Sequence, residues 1–128
     1  MPVAIIPAPK AADMEAAALS KAVIRAAQRL GVKNRVLATV IGVSEATVSR
    51  MSKNEFTLAP DSKSFELSAM FVRLFRALDA IVGGDEAVAK AWLVNANMAL
   101  ADAPINLIQT VSGLVDVVRY LDSRRARI

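Results

Sequence analysis

Apolar residues recur along this chain at spacings of three and four, in runs separated by Gly, Pro and short polar clusters. That is the pattern of amphipathic helices sharing a core. Leu19, Val23, Ala26 and Leu30 define one face of a helix over about 13–30, with Lys21, Arg25 and Arg29 outside and Gly31 ending it. A second helix over about 33–41 and a third over about 44–51 are joined at Gly42, where the chain turns sharply, and Ser44 is placed to cap the third. Lys53-Asn54-Glu55 begins a polar exit, and Ala59-Pro60-Asp61-Ser62 reads as a linker that also starts the next helix. The fourth helix, about 62–82, presents Phe65, Leu67, Met70, Phe71, Val72, Leu74, Phe75, Leu78 and Ile81. A surface that wide predicts burial on two sides, with a homodimer seam as the simplest cover and contact with the preceding helices as the alternative. Gly83-Gly84 breaks this helix, and one over about 85–94 carries Trp92. Residues 95–103 look irregular, Pro104 opens a short helix through Thr110, and Ser112-Gly113 marks a joint. A last helix, about 113–123, buries Leu114, Val117, Val118 and Leu121, with Asp116, Arg119 and Asp122 in water. No segment alternates as a strand does, so the expected fold class is all-α.

Composition alters this picture in few places. The chain is 55% hydrophobic with a mean hydropathy of +0.40, yet much of that is Ala, and no window of about eighteen apolar residues exists to span a membrane. Pro2, Pro7 and Pro9 disfavour both a signal peptide and a helix at the start, so residues 1–12 are expected to be a flexible arm on a cytoplasmic protein. The absence of Cys and His removes disulfides, the usual zinc sites and the commonest acid–base catalyst. Ser, Lys and Asp occur, but no spacing arranges them as nucleophile and base. Neither an enzyme nor a bound cofactor or metal is expected. Residues 1–60 hold eight Lys/Arg against four Asp/Glu and residues 61–128 hold eight against eight, so the net charge of +4 lies in the first half.

That surplus coincides with a helix-turn-helix. Leu37, Ile41, Val43, Val48 and Met51 fall on the inside of the second and third helices, while Ser44, Glu45, Ala46, Ser49 and Arg50 are left outside. An apolar inside with a short, polar, Arg-ended outside suits entry into a major groove of duplex DNA. Glu45, Ala46 and Arg50 are the base-edge candidates: Arg50 for guanine O6 and N7, Glu45 for a cytosine amino group, Ala46 for a thymine methyl. Ser44, Thr47 and Ser49 are phosphate candidates, and Lys33, Arg35 and Lys53 flank the pair as backbone clamps. Such proteins usually dimerise on palindromic operators. The expected division is an arm (1–12), a DNA-binding domain (13–60) and a helical dimerisation or partner-binding domain (61–128).

The string Gly-Val-Ser-x-x-Thr-Val-Ser-Arg at 42–50 resembles the helix-turn-helix of Xre-type repressors and is similar to that of the lactose-repressor family. In the second half, Trp92-Leu93-x-Asn95-x-Asn97, Pro104-Ile105-x-Leu107-Ile108-x-Thr110, Gly113 and Val117-x-x-x-Leu121 resemble the C-terminal toxin-binding domain of the MbcA/ParS/Xre antitoxins. The resemblance implies a type II antitoxin that neutralises a RES-domain toxin, an NAD-consuming or NAD-transferring enzyme class, and represses their shared operon. It also implies that the C-terminus lies near the toxin, which makes Arg119, Arg124, Arg125, Arg127 and Ile128 the toxin-facing candidates. Trp92 reads as a core anchor. The family usually has Pro-Asn after the Trp-Leu pair and a Gly-rich turn before the Pro-Ile segment, where this chain has Asn95-Ala96-Asn97 and Ala101-Asp102-Ala103. A stand-alone regulator, with C-terminal helices that only dimerise or hold a small ligand, is the alternative.

Overall fold

The computed structural model describes Ala8 and residues 10–126; Pro2, Pro7, Pro9, Arg127 and Ile128 lie outside the described residues. Seven helices are present among those residues and no strand: α1 (Ala11–Leu30), α2 (Asn34–Ile41), α3 (Glu45–Ser52), α4 (Lys63–Ile81), α5 (Glu86–Val94), α6 (Pro104–Leu107) and α7 (Val111–Arg125). Helix ends follow the chain's local chemistry. Ser44, Ser62, Asp85 and Thr110 each accept a hydrogen bond from a backbone N–H in the first turn of the helix they precede. α1 begins at Ala11, two residues before Asp13, and closes at Gly31 with φ 69°. None of the seven helices is long and apolar enough to cross a membrane.

α4 is the axis of the molecule. α1 and α2 pack on it from one side and α7 along another, while α5 also rests on α1. Phe71, Leu74, Ala77 and Leu78 of α4 are at most 1% exposed, in one continuous core that reaches from Val23 of α1 to Leu121 of α7. The breadth of the apolar surface on α4 is therefore met within the chain, by the alternative cover, and does not itself call for a seam there. A second contact ties the helix-turn-helix half together: buried Ser20 donates from Oγ to the Ala16 carbonyl (2.7 Å) and accepts from the Leu58 N–H (2.9 Å), fixing the segment after α3 onto α1.

Gly113 corrects the expected joint at Ser112-Gly113. It is buried inside α7, and a Cβ there would lie 1.9 Å from the Leu107 carbonyl oxygen. The glycine is a point of close approach between α6 and α7, and the turn comes earlier, at Thr110, whose Oγ accepts from the Gly113 N–H at 3.1 Å. Residues 95–103 are irregular, organised by Asn97 and Asp102. The Asn97 N–H donates to the Asp102 carbonyl at 3.2 Å, Asn97 Oδ1 accepts from the Ala99 and Leu100 N–H groups, and Asp102 Oδ1 accepts from Asn106 Nδ2.

Candidate nucleic-acid and partner interfaces

α2 and α3 meet at Gly42, which has φ 74°, the left-handed conformation that glycine adopts without a Cβ penalty. Inside the pair, Leu37, Ile41, Val48 and Met51 are at most 3% exposed and Val43 is half-buried against the same core. Outside it, Ser44, Glu45, Ala46 and Arg50 are exposed, and Thr47 and Ser49 are half-buried. Ser44 Oγ caps α3 by accepting from the Thr47 N–H (3.0 Å) and lies 2.9 Å from Thr47 Oγ1. Thr47 Oγ1 in turn accepts from Arg50 Nη2 at 3.5 Å. The hydroxyls of Ser44 and Thr47 thus first organise the helix start and steady the guanidinium. Glu45 occupies the first helical position, where the helix dipole favours a carboxylate. Lys33 is the N-cap residue of α2, Arg35 lies in its first turn and Lys53 ends α3, all three exposed. The structure therefore gathers the nine DNA candidates of the sequence on α2, α3 and their ends.

The C-terminal candidates are more scattered. Arg119 is exposed on α7, and Arg124 and Arg125 close that helix. The Arg124 guanidinium stands 5.9 Å from the centre of the Tyr120 ring, and Tyr120 stacks on Trp92 with centroids 6.3 Å apart and planes 11° from parallel. Trp92 is half-buried rather than fully enclosed. Its ring, Tyr120, Val88 and Arg124 line a pocket of about 330 Å³ whose floor includes Leu78 and Leu121. Val88, Val94 and Met98, on α5 and the loop after it, are 50%, 57% and 100% exposed. Sequence spacing gave no hint of the Trp92–Tyr120 pair, because the two lie on different helices; that each is the sole residue of its kind was the one available signal.

Arg29 also departs from its expected place in solvent. Its guanidinium lies 5.2 Å from the Phe75 ring centre and within 3.9 Å of Asp79 and 3.7 Å of Glu86. It bridges α1, α4 and α5.

A family model for the antitoxin Xre-like helix-turn-helix domain matches residues 11–73. A second, for the antitoxin Xre/MbcA/ParS C-terminal toxin-binding domain, matches residues 77–127. No curated protein matches the chain.

Proposed function

We propose, from the premise that the chain belongs to the Xre-type antitoxins of the MbcA/ParS/Xre family, that it neutralises a RES-domain toxin and represses the operon that encodes both. The family's two domains point to a regulator that works by binding rather than by catalysis. The observation that carries the DNA half is the open outer face of α3: Glu45 and Ala46 in its first turn and Arg50 in its last stand exposed on a helix held from behind by Val48 and Met51. A homodimer would present two such helices to successive major-groove faces of a palindromic operator. For the toxin half, the arrangement on offer is the Trp92–Tyr120 pocket with Arg124 at its rim, the exposed apolar residues of α5 and the basic end of α7. Arg119, Arg124 and Arg125 suit a toxin whose substrate pocket is built for an anionic dinucleotide.

Co-expression with the adjacent RES-domain protein, followed by pull-down and a growth assay, tests the toxin half; co-purification with restored growth is expected, and failure of both refutes it. Titration of the upstream promoter with the protein at several salt concentrations tests the DNA half. Affinity should fall steeply as salt rises, because phosphate contacts release counterions. A stand-alone regulator would bind the promoter without any adjacent toxin.

A further inference from the structure

α1 and α4 enclose two adjoining grooves of about 590 and 400 Å³ that share Ala18, Ala22, Val72 and Arg76, and the larger extends onto the end of α7 through Asp122 and Arg125. Together they form a basic trough. Lys21, Arg25, Arg73, Arg76 and Arg125 stand against Glu15 and Asp122, an excess of three in a chain whose net charge is +4. Asp122 is paired with Arg73, and among the described residues no carboxylate lies within ion-pair distance of Arg25, Arg76 or Arg125. Arg25 lines the smaller groove and Glu15 the larger, about 15 Å apart along α1 at 1.5 Å per residue, so the cations are strung out rather than gathered at a point. The walls between them are Ala18, Ala22, Val72 and Phe75. The trough also faces away from the DNA candidates. Ser64 Oγ of α4 donates to the Gly42 carbonyl at the α2–α3 turn (3.4 Å) and Leu67 lies beside the same glycine, whereas Ala69, Val72, Arg73 and Arg76 line the trough, about 160° round the helix at 100° per residue. Lys21 alone looks both ways, since it also lines a smaller pocket with Met51 and Asn54 at the end of α3.

We infer that this trough receives an acidic segment of the toxin, so that the toxin's footprint runs from the basic end of α7 across α4 onto α1, an inference that rests on the toxin reading above. Charge selects the occupant. A single small anion meets one or two of these cations, whereas an extended run of carboxylates meets Arg25, Arg76 and Arg125 together, and the alanines between them let its backbone lie close. The operator duplex is the poorer occupant, because α3 packs on α2 and α1 and a duplex held by its outer face lies on the far side of α4 from the trough. Continuity with the toxin candidates points the same way: Arg125 is one of them and stands in the larger groove. The trough therefore joins Asp122 and Arg125, from the segment matched to toxin binding, to Glu15, Arg25 and Arg73, from the segment matched to the helix-turn-helix.

The full chain carrying Arg25→Glu with Arg76→Glu tests this beside one carrying Arg25→Lys with Arg76→Lys, with circular dichroism confirming that these exposed substitutions leave the fold intact. Each is titrated with the purified adjacent RES-domain protein and with the upstream promoter at about 0.15 M salt, where charges more than about 8 Å apart are largely screened. The glutamate pair should raise the dissociation constant for the toxin at least about tenfold, the lysine pair should stay within about threefold of the parent, and promoter affinity should stay within about threefold in both. Toxin affinity untouched by the glutamate pair, or damaged equally by the lysine pair, overturns the acidic occupant while leaving the toxin reading standing. A parallel loss of promoter affinity assigns the cations to phosphate, and a loss of self-association in sedimentation equilibrium assigns the trough to a second copy; either overturns the proposal. A parent chain that does not bind the toxin sinks the toxin reading together with it.

Discussion

Replacing Gly113 by Ala should destabilise the protein although it improves the helix propensity of α7. Within a helix the change gains about 1 kcal/mol in propensity. Against that, the new methyl would sit 1.9 Å from the Leu107 carbonyl oxygen, 2.7 Å from its carbon and 2.9 Å from Thr110 Oγ1. All but the last are backbone atoms, so relief requires α6 and α7 to part by roughly 1 Å or more. That movement breaks the Thr110 cap, worth about 1 kcal/mol. It also loosens Ile108 and Leu114, each 1% exposed, where misfit in a packed core costs about 1–3 kcal/mol. The net expectation is a loss of about 1–3 kcal/mol, read as a fall in the urea midpoint of about 0.5–1.5 M for a slope near 2 kcal/mol/M. Gly83→Ala serves as the internal reference: Gly83 has φ 62° but no atom within 4 Å of the place a methyl would take, so it should cost only about 1 kcal/mol. A Gly113→Ala protein as stable as the parent, or less damaged than Gly83→Ala, would refute the close-approach reading.

Other substitutions probe separate parts of the molecule. Ala101 sits at φ 67°, a left-handed conformation that strains any residue with a Cβ, so Ala101→Gly should raise stability by about 0.5–1 kcal/mol in the same titration. Ser20→Ala leaves the Leu58 N–H buried without its acceptor and should cost about 1–3 kcal/mol, with faster amide exchange at Leu58 as the local signature. Arg50→Ala should reduce discrimination at one base pair of the operator by about 1–3 kcal/mol; competition with single-base operator variants reads this, and uniform weakening across all variants would contradict a base-edge role. Truncation after Ser123 removes Arg124 and Arg125 together with the residues beyond, and should weaken neutralisation in the growth assay while leaving promoter affinity unchanged; undiminished neutralisation would rule the basic tail out as a toxin contact.

Helix positions were legible in the sequence because they depend on local periodicity and on single residues at ends: the apolar spacing of α1 to α3, Gly31 and Gly42 as stops, Ser44 and Ser62 as caps. The grouping of the nine candidate DNA contacts was legible for the same reason, since they lie on two short consecutive helices and their ends. Features that depend on which helix meets which were not. Gly113 reads as a joint when only its neighbours in sequence are considered, and its role follows from the carbonyl of Leu107 in the preceding helix. Arg29 reads as solvent-facing from its spacing, yet Phe75, Asp79 and Glu86 reach it from two other helices. The stack of Trp92 on Tyr120 is of the same kind. The width of the apolar surface on α4 was read correctly as two-sided burial, but its cover could be assigned only once α1, α2 and α7 were placed around it.

The two family segments meet inside α4, one ending at residue 73 and the other beginning at residue 77, and no turn, glycine or change of exposure separates them there. Phe71 and Leu74 on one side of that point and Ala77 and Leu78 on the other are buried in a single cluster. A helix severed at this place would expose these side chains on both fragments, and burial of each large one is worth about 1.5–3 kcal/mol. The DNA-reading and toxin-binding segments are therefore units of recognition joined by one element of folding. Displacement of α7 by a bound partner is borne by the same rod on which α1 and α2 rest. The two matched segments thus share one packed element, on which α1, α2 and α7 all rest, and no flexible linker lies between them.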